Sequence, residues 1–306
     1  MSGGVKILEK FFRGSDLIYR INEPMKNHAS AKVGGPAAAM LLPRSADEII
    51  PAVVYCREND VPYFIIGNGT NLIVRDEGCD GLIIKIAGGM SGIERFDNDS
   101  LSVAAGAPLN ALCDFAMEAG LSGLEFASGI PGAVGGAVCM NAGAYGGEIK
   151  DALVSASVIV PDADGGPKIL TLTADELDFG YRESAVGKKN LIVLGAVFKL
   201  ISGDREKIAA RMDELNEKRR RSQPLDMPSA GSAFKRPKGH YAGKLISGAG
   251  LSGCSVGGAM VSEKHCGFIV NTGGATARDF LDLIALIRAT VAEKYGVELV
   301  PEPRIL

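Results

Sequence analysis

The chain has 306 residues, of which 46% are hydrophobic and 23% charged, with a formal net charge of −3. That length corresponds to about two domains, and a charge so near balance excludes a global field that would draw the protein to nucleic acid or to an anionic membrane surface. Six scattered cysteines, with no C-x-x-C pair and no histidines at zinc spacing, predict buried free thiols in a reducing compartment and no metal site.

In chain order, Met1 to Asp16 has no apolar core of signal-peptide length, and no later run approaches membrane-spanning length. Both observations predict a cytoplasmic protein. Ser45-Ala46-Asp47-Glu48 has the form of a capping box opening a helix with Ile49, Ile50, Val53 and Val54 inward, kinked at Pro51. The apolar run Tyr63–Ile66 predicts a strand ending in the loop Gly67-Asn68-Gly69-Thr70-Asn71-Leu72. Strands are expected at Leu82–Ile86 and Leu101–Ala105, and Pro108 starts a helix with Leu109, Leu112, Cys113 and Met117 inward that stops at Gly120.

The segment from Gly129 to Gly147 carries seven glycines in nineteen residues, among them Gly129, Gly132, Gly135, Gly136 and Gly143. Backbone without side chains approaches a ligand directly, and its N–H groups can converge on an anion such as a diphosphate. Two such loops predict a large phosphate-bearing ligand. Neither is a G-x-x-x-x-G-K-[ST] loop nor a G-x-G-x-x-G turn with an acidic residue about twenty positions on, which disfavours a P-loop NTPase and a Rossmann dehydrogenase.

Further strands are expected at Leu153–Val160, Ile169–Leu172 and Leu191–Leu200, completing an α+β region. Arg182, in Gly180-Tyr181-Arg182-Glu183, reads by residue type as a surface ion-pair partner or as a fixed charge for a carboxylate or enolate. A charged helix over 202–223 ends in Lys218-Arg219-Arg220-Arg221, where cations complement the helix dipole, and a domain boundary falls near residue 202. Ser232 follows Ala230-Gly231 and reads as a turn serine or a proton donor. A short strand is expected at Gly267–Asn271 and an amphipathic helix at Ala277–Tyr295, with Gly296 beyond its end. Glu302, between Pro301 and Pro303, reads as part of a solvated tail or as a carboxylate held in few conformations.

Taken together, Lys32-Val33-Gly34-Gly35-Pro36, the Gly67–Leu72 loop, Gly129 to Gly147, Gly180-Tyr181-Arg182-Glu183-Ser184, Ala230-Gly231-Ser232-x-Phe234 and Pro301-Glu302 resemble the UDP-N-acetylenolpyruvoylglucosamine reductases over almost the whole chain. The resemblance implies a two-subdomain FAD-binding fold of the vanillyl-alcohol oxidase and p-cresol methylhydroxylase type, split near 75–80 within residues 1–201, and a C-terminal α+β substrate-binding domain over 202–306. It implies non-covalent FAD held by Gly34, Gly67, Asn68, Gly69, Thr70, Asn71, Leu72, Gly129, Pro131, Gly132, Gly135, Gly136, Asn141, Ala142 and Gly143. NADPH is then the co-substrate, and the UDP-sugar enolpyruvyl ether is reduced to UDP-N-acetylmuramate. Ser232 matches the family's proton donor, and Arg182 and Glu302 match the pair that polarises the enolpyruvyl carboxylate.

Departures are Ala31 and Lys32 ahead of Val33-Gly34-Gly35, Arg236 where some members carry asparagine, and a short segment between Phe179 and Asn190 that implies the subclass without a capping insertion. Two other readings stay open on sequence: an oxygen-using oxidase of the same fold, and a non-catalytic nucleotide-binding regulator.

Overall fold

Packing in the computed structural model, which describes residues 3–306, divides the chain into two units. Met1 and Ser2, the start of the segment expected to lack a leader, lie outside the described residues. One unit takes the residues up to Ile21, Ala38–Asn68 and Asp80–Lys218; the other takes Asn22–Ala37, Gly69–Cys79 and Arg219–Leu306.

In the first unit the helix Gly3–Phe12 buries Val5, Leu8 and Phe12, a spacing that gathers apolar side chains on one helical face. The helix Ala46–Glu58 buries Ile49, Ala52, Val53 and Cys56. Its expected capping box is not formed. Ser45 occupies the N-cap without a side-chain bond, while the Glu48 carboxylate reaches past it to the amide of Arg44 at 2.8 Å and its guanidinium at 2.7 Å. A neighbouring cation thus takes the carboxylate that the motif assigns to the cap. The helix also runs through Pro51 without a break. A proline in a helix interior costs about 3 kcal/mol, and fully buried Ile49 and Val53, each worth about 1.5–3 kcal/mol, offset it.

A five-stranded antiparallel sheet follows, in the order Lys168–Thr173, Leu153–Val160, Ile192–Lys199, Ser100–Ala104, Ile93–Arg95. The helix Leu109–Glu118 starts after Pro108, whose φ is −60°, and stops before Gly120, whose φ is +68°. A four-stranded sheet has the order Tyr19–Pro24, Pro36–Leu41, Cys79–Lys85, Tyr63–Ile66, the last two parallel.

The second unit is built on an antiparallel sheet in the order Ser229–Ser232, Phe268–Asn271, Ala259–Val261, Ser255–Val256. The helix Ala277–Tyr295 contributes Phe280, Leu283, Ile284, Ile287 and Val291 to the core, and Gly296 ends it in the left-handed conformation. Its N-terminus is capped reciprocally by Thr276 and Asp279. Asp76 supplies a second clamp, accepting the amides of Ala277 at 2.8 Å and Arg278 at 2.9 Å. The chain end Arg304–Ile305 lies parallel to Leu72–Ile73. The basic run closes a helix, Arg205–Ser222. Among the described residues no helix is long and apolar enough to cross a membrane.

Candidate functional site

Gly67 and Asn68 end the strand Tyr63–Ile66 in the first unit. A Cβ on Gly67 would lie 3.2 Å from that of Ala133, so the two glycine loops meet there. After Gly129 and Pro131, Gly132 accepts the amide of Leu109 with its carbonyl and has a φ of +148°. The short helix Val134–Cys139 then places Gly135 and Gly136 in different surroundings. Gly135 donates its N–H to the Ala105 carbonyl at 2.8 Å, and a Cβ on it would stand 3.0 Å from that of Ala105. Its missing side chain therefore serves the packing of this helix on the sheet. Gly136 is exposed, and a Cβ there would meet nothing within 4 Å.

Asn141 is fully buried with a φ of +42°. Its Nδ2 donates to Glu148 Oε2 and to the Gly180 carbonyl, both at 3.0 Å, and its Oδ1 accepts the Lys150 amide. Ala142 turns the chain by bonding Ala137 and Ile149 through its backbone. Arg182 lies at the tip of the turn Gly180–Glu183, itself left-handed at +59°. Its Nη2 donates to the Gly143 carbonyl at 2.8 Å and its Nη1 reaches the Asn141 carbonyl at 3.5 Å. The guanidinium is therefore anchored on the second glycine loop, a strained backbone of the kind found where a side chain must be aimed. Nearby, burial pushes the Glu148 carboxyl up, but the Lys150 ammonium and the Asn141 amide outweigh it and the net shift is downward.

In the second unit Gly34 has a φ of +123°, and a Cβ on it would come within 2.9 Å of that of Val74. Gly69 accepts the Ser30 amide, and any side chain on it would collide with the His28 carbonyl. The imidazole of His28, which shows no partner in the sequence, stands 2.6 Å from Glu23; their five-residue separation fits no helical contact spacing. The Thr70 carbonyl lies 3.9 Å from where a Cβ on Gly231 would project.

Ser232 ends the strand Ser229–Ser232 opposite Phe268, after an irregularity at Gly231, whose φ is +78°. Glu302 is not part of a solvated tail. Its amide donates to the Ala233 carbonyl at 3.1 Å, and Lys235 donates to Val300. On the other side Asn71 Nδ2 donates to the Glu302 carbonyl at 3.2 Å, the Asn71 carbonyl accepts Arg304, and Leu72 pairs with Arg304. Ser232 and Glu302 thus meet at Ala233, the first as its chain neighbour and the second through a hydrogen bond to its carbonyl, although seventy positions separate them. Arg182 belongs to the other unit.

Glycine loops that converge at Gly67 and Ala133, with bare exposed backbone at Gly136, fit a diphosphate-bearing cofactor. A family model described as an FAD binding domain matches residues 37–165, which with the mixed helices and sheets defines an FAD-binding α+β protein. A second, the C-terminal domain of UDP-N-acetylenolpyruvoylglucosamine reductase, matches residues 223–306. The reductase of that name from Clostridium botulinum strain Hall is 50% identical over 94% of this chain and 92% of its own length. That from Caldanaerobacter subterraneus subsp. tengcongensis is 49% identical over 94% of this chain and 93% of its own. The crystal structure of the Thermus caldophilus reductase superposes with a TM-score of 0.78 at 38% identity, covering 94% of this chain and 98% of that one. The chain belongs to the UDP-N-acetylenolpyruvoylglucosamine reductases.

Proposed function

We propose that Arg182, Ser232 and Glu302 carry the chemistry of this reductase, which converts UDP-N-acetylglucosamine enolpyruvate to UDP-N-acetylmuramate with NADPH in peptidoglycan precursor synthesis. FAD, which the backbone at Gly67, Gly132 and Gly136 would hold, would supply the hydride chemistry between NADPH and the terminal vinyl carbon of the enolpyruvyl group. The Ser232 hydroxyl delivers the proton to the carbon bearing the ether oxygen and regains one from solvent. Arg182, and Glu302 in its protonated form, stabilise the negative charge that accumulates on the carboxylate side of the double bond, as preorganised donors aimed at developing charge.

The observation that carries this reading is the place of Ala233, which follows Ser232 directly and whose carbonyl accepts the amide of Glu302. Two groups tied to one residue, Ser232 by its covalent link and Glu302 by a hydrogen bond to the carbonyl, are held close along the backbone, the placement that positioned reacting groups need. Residues 1–201 are read as the FAD-binding region and 202–306 as the substrate-binding domain, supported by the two family-model matches. A cytoplasmic setting is supported by the NADPH chemistry and by six free cysteines.

Replacing Ser232 by alanine tests the assignment. Steady-state turnover is expected to fall by about 10²–10⁴-fold, the range of a lost general acid, with bound flavin retained. Turnover within a few-fold of the parent removes Ser232 from the mechanism.

A further inference from the structure

His265 belongs to no motif quoted above, yet it stands two residues from a peptide that touches the proposed proton donor's strand. Its Nδ1 accepts the Gly267 amide at 3.1 Å. A backbone N–H can only donate, so this nitrogen carries the lone pair and the ring proton sits on Nε2. The ring packs edge-on against Phe268, with centroids 5.1 Å apart and planes at 79°. Glycine at 267 makes room for it, since a Cβ there would lie 2.8 Å from the ring carbon Cε1. On the other flank, a Cβ on Gly243 would come within 3.4 Å of the same atom. The backbone of His265 is fixed as well: its amide reaches Ser262 Oγ and its carbonyl accepts Phe268.

The orientation of the Gly267 peptide region matters because the Gly267 carbonyl accepts the amide of Ala233 at 2.8 Å. The Ala233 carbonyl in turn accepts the amide of Glu302. A side chain that holds Gly267 therefore acts through one further backbone bond on Ala233, the residue after Ser232, and through a second in series on Glu302. We propose that His265 is a positioning residue for Ser232 and Glu302, its Nδ1 acting as the acceptor that fixes the Gly267 backbone on which the Ala233 peptide hangs. This inference rests on the assignment of Ser232 and Glu302 as reacting groups. It adds a residue that acts on those groups through the backbone.

Positioning at Ser232 and Glu302 bears on the enolpyruvyl half-reaction alone, so the two half-reactions separate it from a general structural role. The test is anaerobic stopped-flow absorbance on the flavin-loaded enzyme, with NADPH and then UDP-N-acetylglucosamine enolpyruvate, for His265→Phe, His265→Gln, His265→Asn and Ser232→Ala. Asparagine places an acceptor close to the position of Nδ1 and bonds an amide two residues on; glutamine sets its amide one methylene further out, and phenylalanine has no acceptor.

The phenylalanine and glutamine variants are expected to be reduced by NADPH at the parent rate but reoxidised by saturating enolpyruvyl substrate at least about tenfold more slowly, since a displacement of about 1 Å can cost 10²-fold. The asparagine variant is expected within about threefold of the parent in both steps, by the same geometric argument. Should His265→Phe not retain flavin, the glutamine and asparagine pair decides alone. Parent-like reoxidation in the glutamine variant, or equal slowing in the asparagine and glutamine variants, overturns the proposal. If Ser232→Ala also reoxidises at the parent rate, the assignment of Ser232 fails instead; if it is slow while His265→Gln is not, only the positioning role fails.

Discussion

Gly135 and Gly136 are chain neighbours with different reasons to be glycine. At Gly135 a side chain would press on Ala105, while at Gly136 it would project into open space. Gly135→Val is therefore expected to lower stability by about 1–3 kcal/mol through overpacking, measured by urea unfolding. Gly136→Val is expected to keep the unfolding midpoint of the flavin-free parent and lose flavin, read as absorbance retained after gel filtration; full flavin retention removes Gly136 from the cofactor site. Asn141→Ala removes three hydrogen bonds of a buried amide to half-buried and exposed partners and is expected to destabilise by about 1–3 kcal/mol in the same assay. The glycine loops were legible because glycine runs carry their own signal. The bonds of Asn141 were not, since its partners include Gly180, 39 positions away. Composition likewise leaves the guanidinium of Arg182 without an address, which its bonds to the glycine loop supply.

The two N-terminal caps show how far local patterns reach. Ser45 and Glu48 have the right spacing, but the arginine beside them captures the glutamate. Thr276 and Asp279 form the reciprocal pair, and Asp279 also accepts the Gly258 amide at 3.1 Å. Backbone amides of Thr276 and Gly258 hold the Asp279 carboxyl below the usual aspartate range. A carboxyl depressed in the folded state adds stability above its unfolded pKa and loses it as pH falls through the folded value. Asp279→Ala is thus expected to cost about 1 kcal/mol at neutral pH, with the two proteins converging in acid; a difference independent of pH contradicts this. The helix Ala277–Tyr295 is read directly from its apolar face, as is the strand Leu153–Val160. Strands such as Ser255–Val256 and Ala259–Val261 are too short to show a period, and they form only because Phe268–Asn271 and its neighbours pair with them.

For the whole molecule, motif order identified the family and its α+β fold, but not the way the chain is shared between units. Asn22–Ala37 and Gly69–Cys79 pack with residues from Arg219 onward, through bonds such as that of Asn271 Nδ2 to the Ala31 carbonyl, 240 positions apart. No local periodicity reports such a contact. Burial also sorts the thiols: desolvation pushes Cys56 and Cys113 up to about 12. Both are expected to resist a thiol-specific reagent in the native protein and to react on unfolding; rapid native labelling of either contradicts their burial. The most direct measurement is an anaerobic visible-absorbance titration of the purified protein with NADPH and then UDP-N-acetylglucosamine enolpyruvate. The first addition is expected to bleach a bound flavin and the second to restore its colour stoichiometrically. A flavin that recovers only when air is admitted, or a protein that cannot be loaded with FAD at all, would contradict this.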